Sequence, residues 1–347
     1  MSDQIGLFGA GEDEPDSPLH PTRGSRGIGP AAQDNATRDL AAQLPASIHL
    51  GTSSWSFPGW AGIVYDKPAG ESTLSKQGLT AYSAHPLLRT VSIDRSFYSP
   101  LSRAEYDAYS AQVPAHFRFM VKAPSFITDE LRRDESGRGI EMNPRFLDAE
   151  AAVAEFIKPA ISGLGDKAGP LVFQFSPLSR RTLADVPAFV ARLHAFLWSM
   201  KRLCTGFSGE PLIAVEVRNG ELLTRGFAEA LKDAGARYVL GVHARMPKPE
   251  AQLPVLRALW PGSLVVRWNL HAGFKYEEAK AQYAPFNRLV DEDPESRATI
   301  ARVAVATALA GQPVFISANN KAEGSAPLTL YKLAQAIAAT LADKSVG

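Results

Sequence analysis

Cysteine is nearly missing from this chain: Cys204 is the single one among 347 residues. One thiol cannot close an internal disulfide, which excludes a disulfide-stapled scaffold and points to a reducing compartment. A surplus of charge is missing too. Lysine and arginine total 37 against 36 aspartates and glutamates, a formal net charge of +1. A broad basic face for gripping nucleic acid is therefore not expected, although a local anion site fits such a balance. No apolar run approaches the ~20 residues needed to span a bilayer. The first residues, MSDQIGLFGAGEDEPDS, lack the basic-then-apolar layout of a secretory leader. The expectation is a cytoplasmic protein without a membrane partner.

What is present divides into two parts. Residues 1–46 are rich in Gly, Pro, Asp and Ser, with an acidic run at Glu12, Asp13 and Glu14. Such a segment buries too little apolar surface to offset its ordering entropy, so a disordered tail is expected, with at most a short helix at Asn35–Leu44. From Ile48 onward β-rich runs recur: SIHLGTS, RTVSID, FRFMVKA, PLVFQFS, LIAVEVR, RYVLGVHA, SLVVRWN and PVFISAN. Between them lie Ala-rich stretches with apolar residues at three- and four-residue intervals, the spacing of helices. Strands alternating with helices imply parallel pairing through crossovers. Eight such units predict an α/β (β/α)8 TIM-type barrel as one domain over 47–342. An open doubly wound sheet is the alternative, but no G-x-G-x-x-G follows the first strand.

In such barrels the loops after the strands build the site. The ends of these runs carry Asp94 and Tyr98, Lys122, Gln174, Glu216 and Arg218, Arg267, and Asn319 and Asn320. Buried charges must pair with one another or with a ligand, so the set predicts a polar cavity. Glu216 and Arg218 share a strand face, and an ionised carboxylate there could act as a general base or orient a hydroxyl. Lys122, at the end of FRFMVKA, suits anion binding; Asp94 completes the catalytic candidates. Tyr98, Gln174, Arg218, Arg267, Asn319 and Asn320 are candidate substrate contacts. GTSSWSFPGW at 51–60 places Trp55 as a candidate pocket wall and Trp60 as a plug. His243 and His271 are isolated, and no H-x-H, H-E-x-x-H, Walker or G-x-S-x-G pattern occurs. No cofactor and no metal are expected. The long connections after strands three and seven are candidate lids, the second through Tyr276, Tyr283 and Phe286 or as a short helix on the rim.

The runs GTSSWSFPGWAGIVY, TVSIDRSFY, FRFMVKAP, GPLVFQFSP, AVEVRN, VVRWN and ANN-x-x-x-G-x-AP, in this order, resemble the domain-of-unknown-function-72 family, also called YecE-like. The resemblance spans roughly residues 47–342 and implies a TIM-type barrel, with Asp94, Tyr98, Lys122, Gln174, Glu216, Arg218, Arg267 and Asn320 at the family's recurrent polar positions. It implies no reaction. Two departures stand out. Ser92 occupies a position where the family often has glutamate, and Asn269 one where it often has histidine, so a second carboxylate or a histidine base is not expected there.

Gln4-Ile5-Gly6-Leu7-Phe8 resembles short peptides that dock on the bacterial sliding clamp, with Gln4, Leu7 and Phe8 as the contacts. The leading expectation is an enzyme doing acid/base chemistry on a small anionic or polyhydroxylated substrate, such as a sugar phosphate, with Glu216 as the acid/base. The alternatives are a clamp-recruited accessory or nuclease-like protein of DNA metabolism, and a ligand-binding barrel without turnover.

Overall fold

The computed structural model describes residues 27–134, 139–207, 209–270 and 276–346. The eight expected runs all form strands: β1 Ile48–Thr52, β2 Leu88–Ile93, β3 Arg118–Lys122, β6 Ala168–Gln174, β7 Ile213–Glu216, β8 Arg237–Val242, β9 Leu264–Trp268 and β10 Val314–Ala318. They close in sequence order into one barrel, β10 returning to β1, and every pair within it is parallel. Short strands β4 Leu131–Arg133 and β5 Gly139–Met142 pair antiparallel in the connection after β3. This is the (β/α)8 architecture.

Gly51 shows how tightly the first strands meet, since a Cβ there would lie 1.8 Å from the Thr90 carbonyl oxygen. A side chain at this point would force β1 and β2 apart, which explains glycine inside an otherwise apolar strand.

The helices fall in the predicted intervals. The first is α1 Asn35–Gln43. Those after β1 to β3 are α2 Glu71–Ser83, α3 Arg103–Ser110, α4 Ser125–Thr128, α5 Ala149–Ala152 and α6 Lys158–Leu164. The second half has α7 Arg180–Leu183, α8 Val186–Leu203, α9 Arg225–Ala234, α10 Pro249–Ala258, α11 Tyr276–Tyr283, α12 Pro294–Leu309 and α13 Ala326–Val346. Side-chain caps start several of them: Ser102 and Glu105 form a reciprocal capping box on α3, and Thr224 caps α9. Among the described residues no helix is long and apolar enough to cross a membrane.

The expected boundary at residue 46 differs from the structure. Asp34 caps α1 by accepting from the Thr37 N–H at 2.7 Å, and Leu40, Ala41 and Leu44 enter the main apolar core. Arg89 donates to the Ala41 carbonyl at 3.0 Å, tying this helix to β2. Three apolar side chains and a cap are enough to order the segment once a barrel surface exists to receive them. The short helix allowed for at Asn35–Leu44 is therefore present as α1, and what the polar composition of 1–46 does not show is its packing onto the barrel.

Candidate functional site

Side chains alternate along a strand, so the positions that fill the barrel recur every second residue. One interior layer is apolar: Met120, Val172, Ala214, Val239, Val265 and Phe315 form a buried cluster of their own. Two residues further along the same strands stand Lys122, Gln174, Glu216, Gly241, Arg267 and Ser317. Two further again, past the strand ends, come Arg218, His243, Asn269 and Asn319, with Ser53 and Asp94 beside them. The interior thus changes from hydrocarbon to charge in one step of the pleat, toward the C-terminal mouth.

Arg267 is the hub. Its Nη1 donates to Glu216 Oε2 at 2.8 Å and to Gln174 Oε1 at 2.9 Å, while Nη2 donates to Asp94 Oδ2 at 2.9 Å. Arg218 Nη2 lies 2.7 Å from Glu216 Oε1 and donates to Gln174 Oε1 at 3.2 Å. Asn269 adds a third donor to Glu216, at 3.2 Å, and Ser92 donates to Asp94 Oδ1 at 2.6 Å. Gly241 borders this arrangement: a Cβ there would lie in ordinary contact, 3.9 Å from Glu216 Oε1. Ser92 and Asn269, the two departures from the family pattern, are both hydrogen-bonded to the site's carboxylates.

Lys122 stands differently. Its Nζ lies 3.5 Å from the centroid of the Phe97 ring, a cation–π contact, and no described carboxylate lies within ion-pairing distance. Burial, followed by the nearby arginines, outweighs Asp94 and Glu216 and lowers its pKa to about 8. For Glu216 burial alone would raise the pKa, but Arg218 and Arg267 more than reverse that and hold the carboxyl below its usual range. His243 is pushed down to about 3, by burial first and Arg218 second, so its ring is neutral. The Arg245 N–H donates to His243 Nδ1 at 3.2 Å, which assigns the ring hydrogen to Nε2.

The structure therefore gathers Asp94, Lys122, Gln174, Glu216, Arg218 and Arg267 into one cluster at the mouth. Glu216 is 0 % exposed, Arg267 2 % and Lys122 3 %, while the Asp94 side chain is 33 % exposed and marks the opening. Asn269, His243 and Asn319 are half-buried around that rim, and Tyr98 is exposed beside it, its ring edge-to-face with Phe97.

Glu216 as the acid/base does not fit its surroundings. Both of its oxygens are engaged and two guanidinium groups keep it ionised, so it holds the arginines in place instead of exchanging protons. Trp55 belongs to the apolar core: its indole N–H donates to the Ser75 carbonyl at 3.2 Å and its ring meets Tyr109 edge-on. Asn320 is fully buried, accepting from Trp60 Nε1 at 3.1 Å and from the Ala326 N–H at 2.8 Å, so it anchors the plug and the start of α13. Asn319 donates to Ser53 Oγ at 2.8 Å across the β10–β1 seam. In the seventh connection Tyr283 is buried and donates to Asp291 at 2.9 Å, so the last residue of α11 packs inward as part of a rim helix.

Gln4, Leu7, Phe8 and His271, and the side chain of Tyr276, lie outside the described residues. Phe97 is the site residue that the sequence does not single out, since nothing local marks the ring that will face Lys122; His243 stands in the sequence as an isolated histidine and meets its neighbours only after folding. Among the described residues no group of three or more His, Cys, Asp or Glu side chains could hold a metal ion.

Comparison with solved structures finds the same barrel. A DUF72 family protein from Enterococcus faecalis is 16% identical and superposes with a TM-score of 0.55, covering 84% of this chain and 95% of its own. One from Thermotoga maritima is 18% identical with a TM-score of 0.53, covering 83% and 98%. At these identities the likeness concerns the fold alone. No curated protein matches the sequence. The family model described as "Protein of unknown function DUF72" matches residues 49–345, and the chain belongs to that family.

Proposed function

We propose that the barrel mouth takes a small anionic compound, and that Lys122 is the side chain that meets its charge and exchanges protons with it. The observation that carries this is the charge count of the cluster. Among the described residues, Lys122, Arg218 and Arg267 bring three cations against the two carboxylates of Asp94 and Glu216, and Lys122 is the cation of the three with no carboxylate within ion-pairing distance. A buried ammonium in that position is costly until an anion arrives. Among the described residues Arg267 Nε and Arg218 Nη1 also have no acceptor.

Proton exchange is a matter of poise. An amine with a pKa near 8 is protonated at neutral pH yet gives up its proton readily, as a general acid or base must. Glu216, clamped ionised, supports this group electrostatically. Around the opening, His243 Nε2–H, Asn269 and Asn319 are placed to hydrogen-bond hydroxyl or oxo groups, and Tyr98 offers a ring face to a sugar. A phosphorylated sugar meets all of these requirements.

Calorimetric titration with inorganic phosphate and with ribose 5-phosphate tests the proposal. Binding should weaken as pH rises through about 8, where Lys122 loses its proton. Lys122→Met should abolish it while the thermal transition persists; a variant that still binds like the parent would overturn the assignment. Deuterium uptake from D2O into the bound sugar phosphate, absent with Lys122→Met, would separate turnover from binding alone.

A further inference from the structure

The opposite end of the barrel from Lys122 has a cavity, about 360 Å3 in volume, between α10, α12 and the first residues of β8 and β9. Its walls are mostly apolar, with Leu256 from α10 and Val303 from α12 among the lining residues and Trp260 45% exposed. Three arginines line it as well: Arg237 from the start of β8, Arg257 from the last turn of α10, and Arg302 from α12. None of the described lining residues is an aspartate or glutamate, and none of the three arginines forms an ion pair with a described residue. Arg237 Nη1 donates to the carbonyls of Leu259 at 2.8 Å and Pro261 at 3.4 Å, and Arg302 has a long contact of 3.4 Å to Thr299 Oγ1.

We infer that this cavity is a binding site for an amphipathic carboxylate, an apolar chain lying between Leu256, Val303 and Trp260 with its head group held by the arginines. Other exposed arginines also form no ion pair with a described carboxylate, Arg38 and Arg202 among them, but these three line one apolar hollow, and together they present the complement of a ligand with one charged end. The guanidinium fork matches a carboxylate in shape as well as charge. Burial holds Arg237 below the usual guanidinium pKa. A mainly apolar cavity with a few convergent polar groups is also the usual make-up of a small-molecule site. The site stands at the other end of the barrel from Lys122 and does not depend on the function proposed for the mouth.

The experiment is calorimetric titration of the full chain with octanoate, 1-octanol and acetate. Octanoate should bind at least tenfold more tightly than octanol, and acetate should give no saturable heat. Arg257→Met combined with Arg302→Met, both exposed positions chosen so that the fold persists, should bring octanoate down to the affinity of octanol. Val303→Trp, filling the groove, should remove both. Lys122→Met should leave octanoate binding intact. Equal binding of octanol and octanoate, an unaffected arginine double variant, or absence of octanoate binding would each overturn the inference. Loss of octanoate binding in Lys122→Met would do so too, by placing the carboxylate at the mouth.

Discussion

Met120 and Lys122 lie two residues apart on β3 and point into the same barrel, yet they meet burial in opposite ways. The layer around Met120 excludes water with hydrocarbon from six strands. The layer around Lys122 is just as enclosed, but it is built from ions whose desolvation is offset by partners, Glu216 by two arginines and Arg267 by two carboxylates. The lesson lies in the remainder. The apolar layer is complete in itself, whereas the charged layer ends with one unmatched cation, and incompleteness of that kind is what a binding site has and a core lacks.

Substitutions in the two layers should therefore separate stability from binding. The largest effect is expected for Arg267→Met, which strips both carboxylates of their shared partner; urea unfolding should show a loss of roughly 3–5 kcal/mol. A change below about 1 kcal/mol would mean that the layer is hydrated and its ion pairs are weak. Met120→Ala should cost about 2–5 kcal/mol through the cavity it leaves, without altering phosphate affinity. Weakened phosphate binding there would show that the layers are not independent.

Lys122→Met should act in the reverse sense, raising stability at pH 7 on the order of 1–3 kcal/mol because it removes an ammonium that burial disfavours. The pH dependence has a definite sign. The folded amine titrates near 8 against an ordinary 10.5, so below pH 8 both states carry the proton and the folded chain bears the full cost. Between those values the unfolded chain binds the extra proton, wild-type stability rises, and the advantage of the variant shrinks. A variant no more stable than wild type at pH 7 would show that Lys122 has a partner after all. The smallest effect on the barrel is expected for Leu7→Ala with Phe8→Ala. This pair should leave the unfolding midpoint unchanged, and a tail that docks on a bacterial sliding clamp should lose retention on the immobilised clamp with it; no capture of the intact chain would dismiss the tail as a docking peptide.

Much of the site was legible because strand periodicity is local. Once Ala214 and Glu216, or Val265 and Arg267, are placed on a strand, their shared face follows without coordinates. The roles were less legible. Glu216 was the natural base on sequence grounds, but its proton affinity depends on two guanidinium groups, one of them 51 residues away in the chain. Trp55 and Trp60 share one short loop, and nothing local says that one turns to a helix backbone and the other to Asn320, 260 residues on.

The amino-acid order alone determined the number of barrel strands, their parallel pairing and the face each polar residue takes, because alternation and helix spacing are properties of neighbouring residues. The closure of the barrel decided which of those residues are matched and which is left over. Electrostatic compensation acts through space between groups far apart in the chain, so the surplus of Lys122 exists only in the folded molecule.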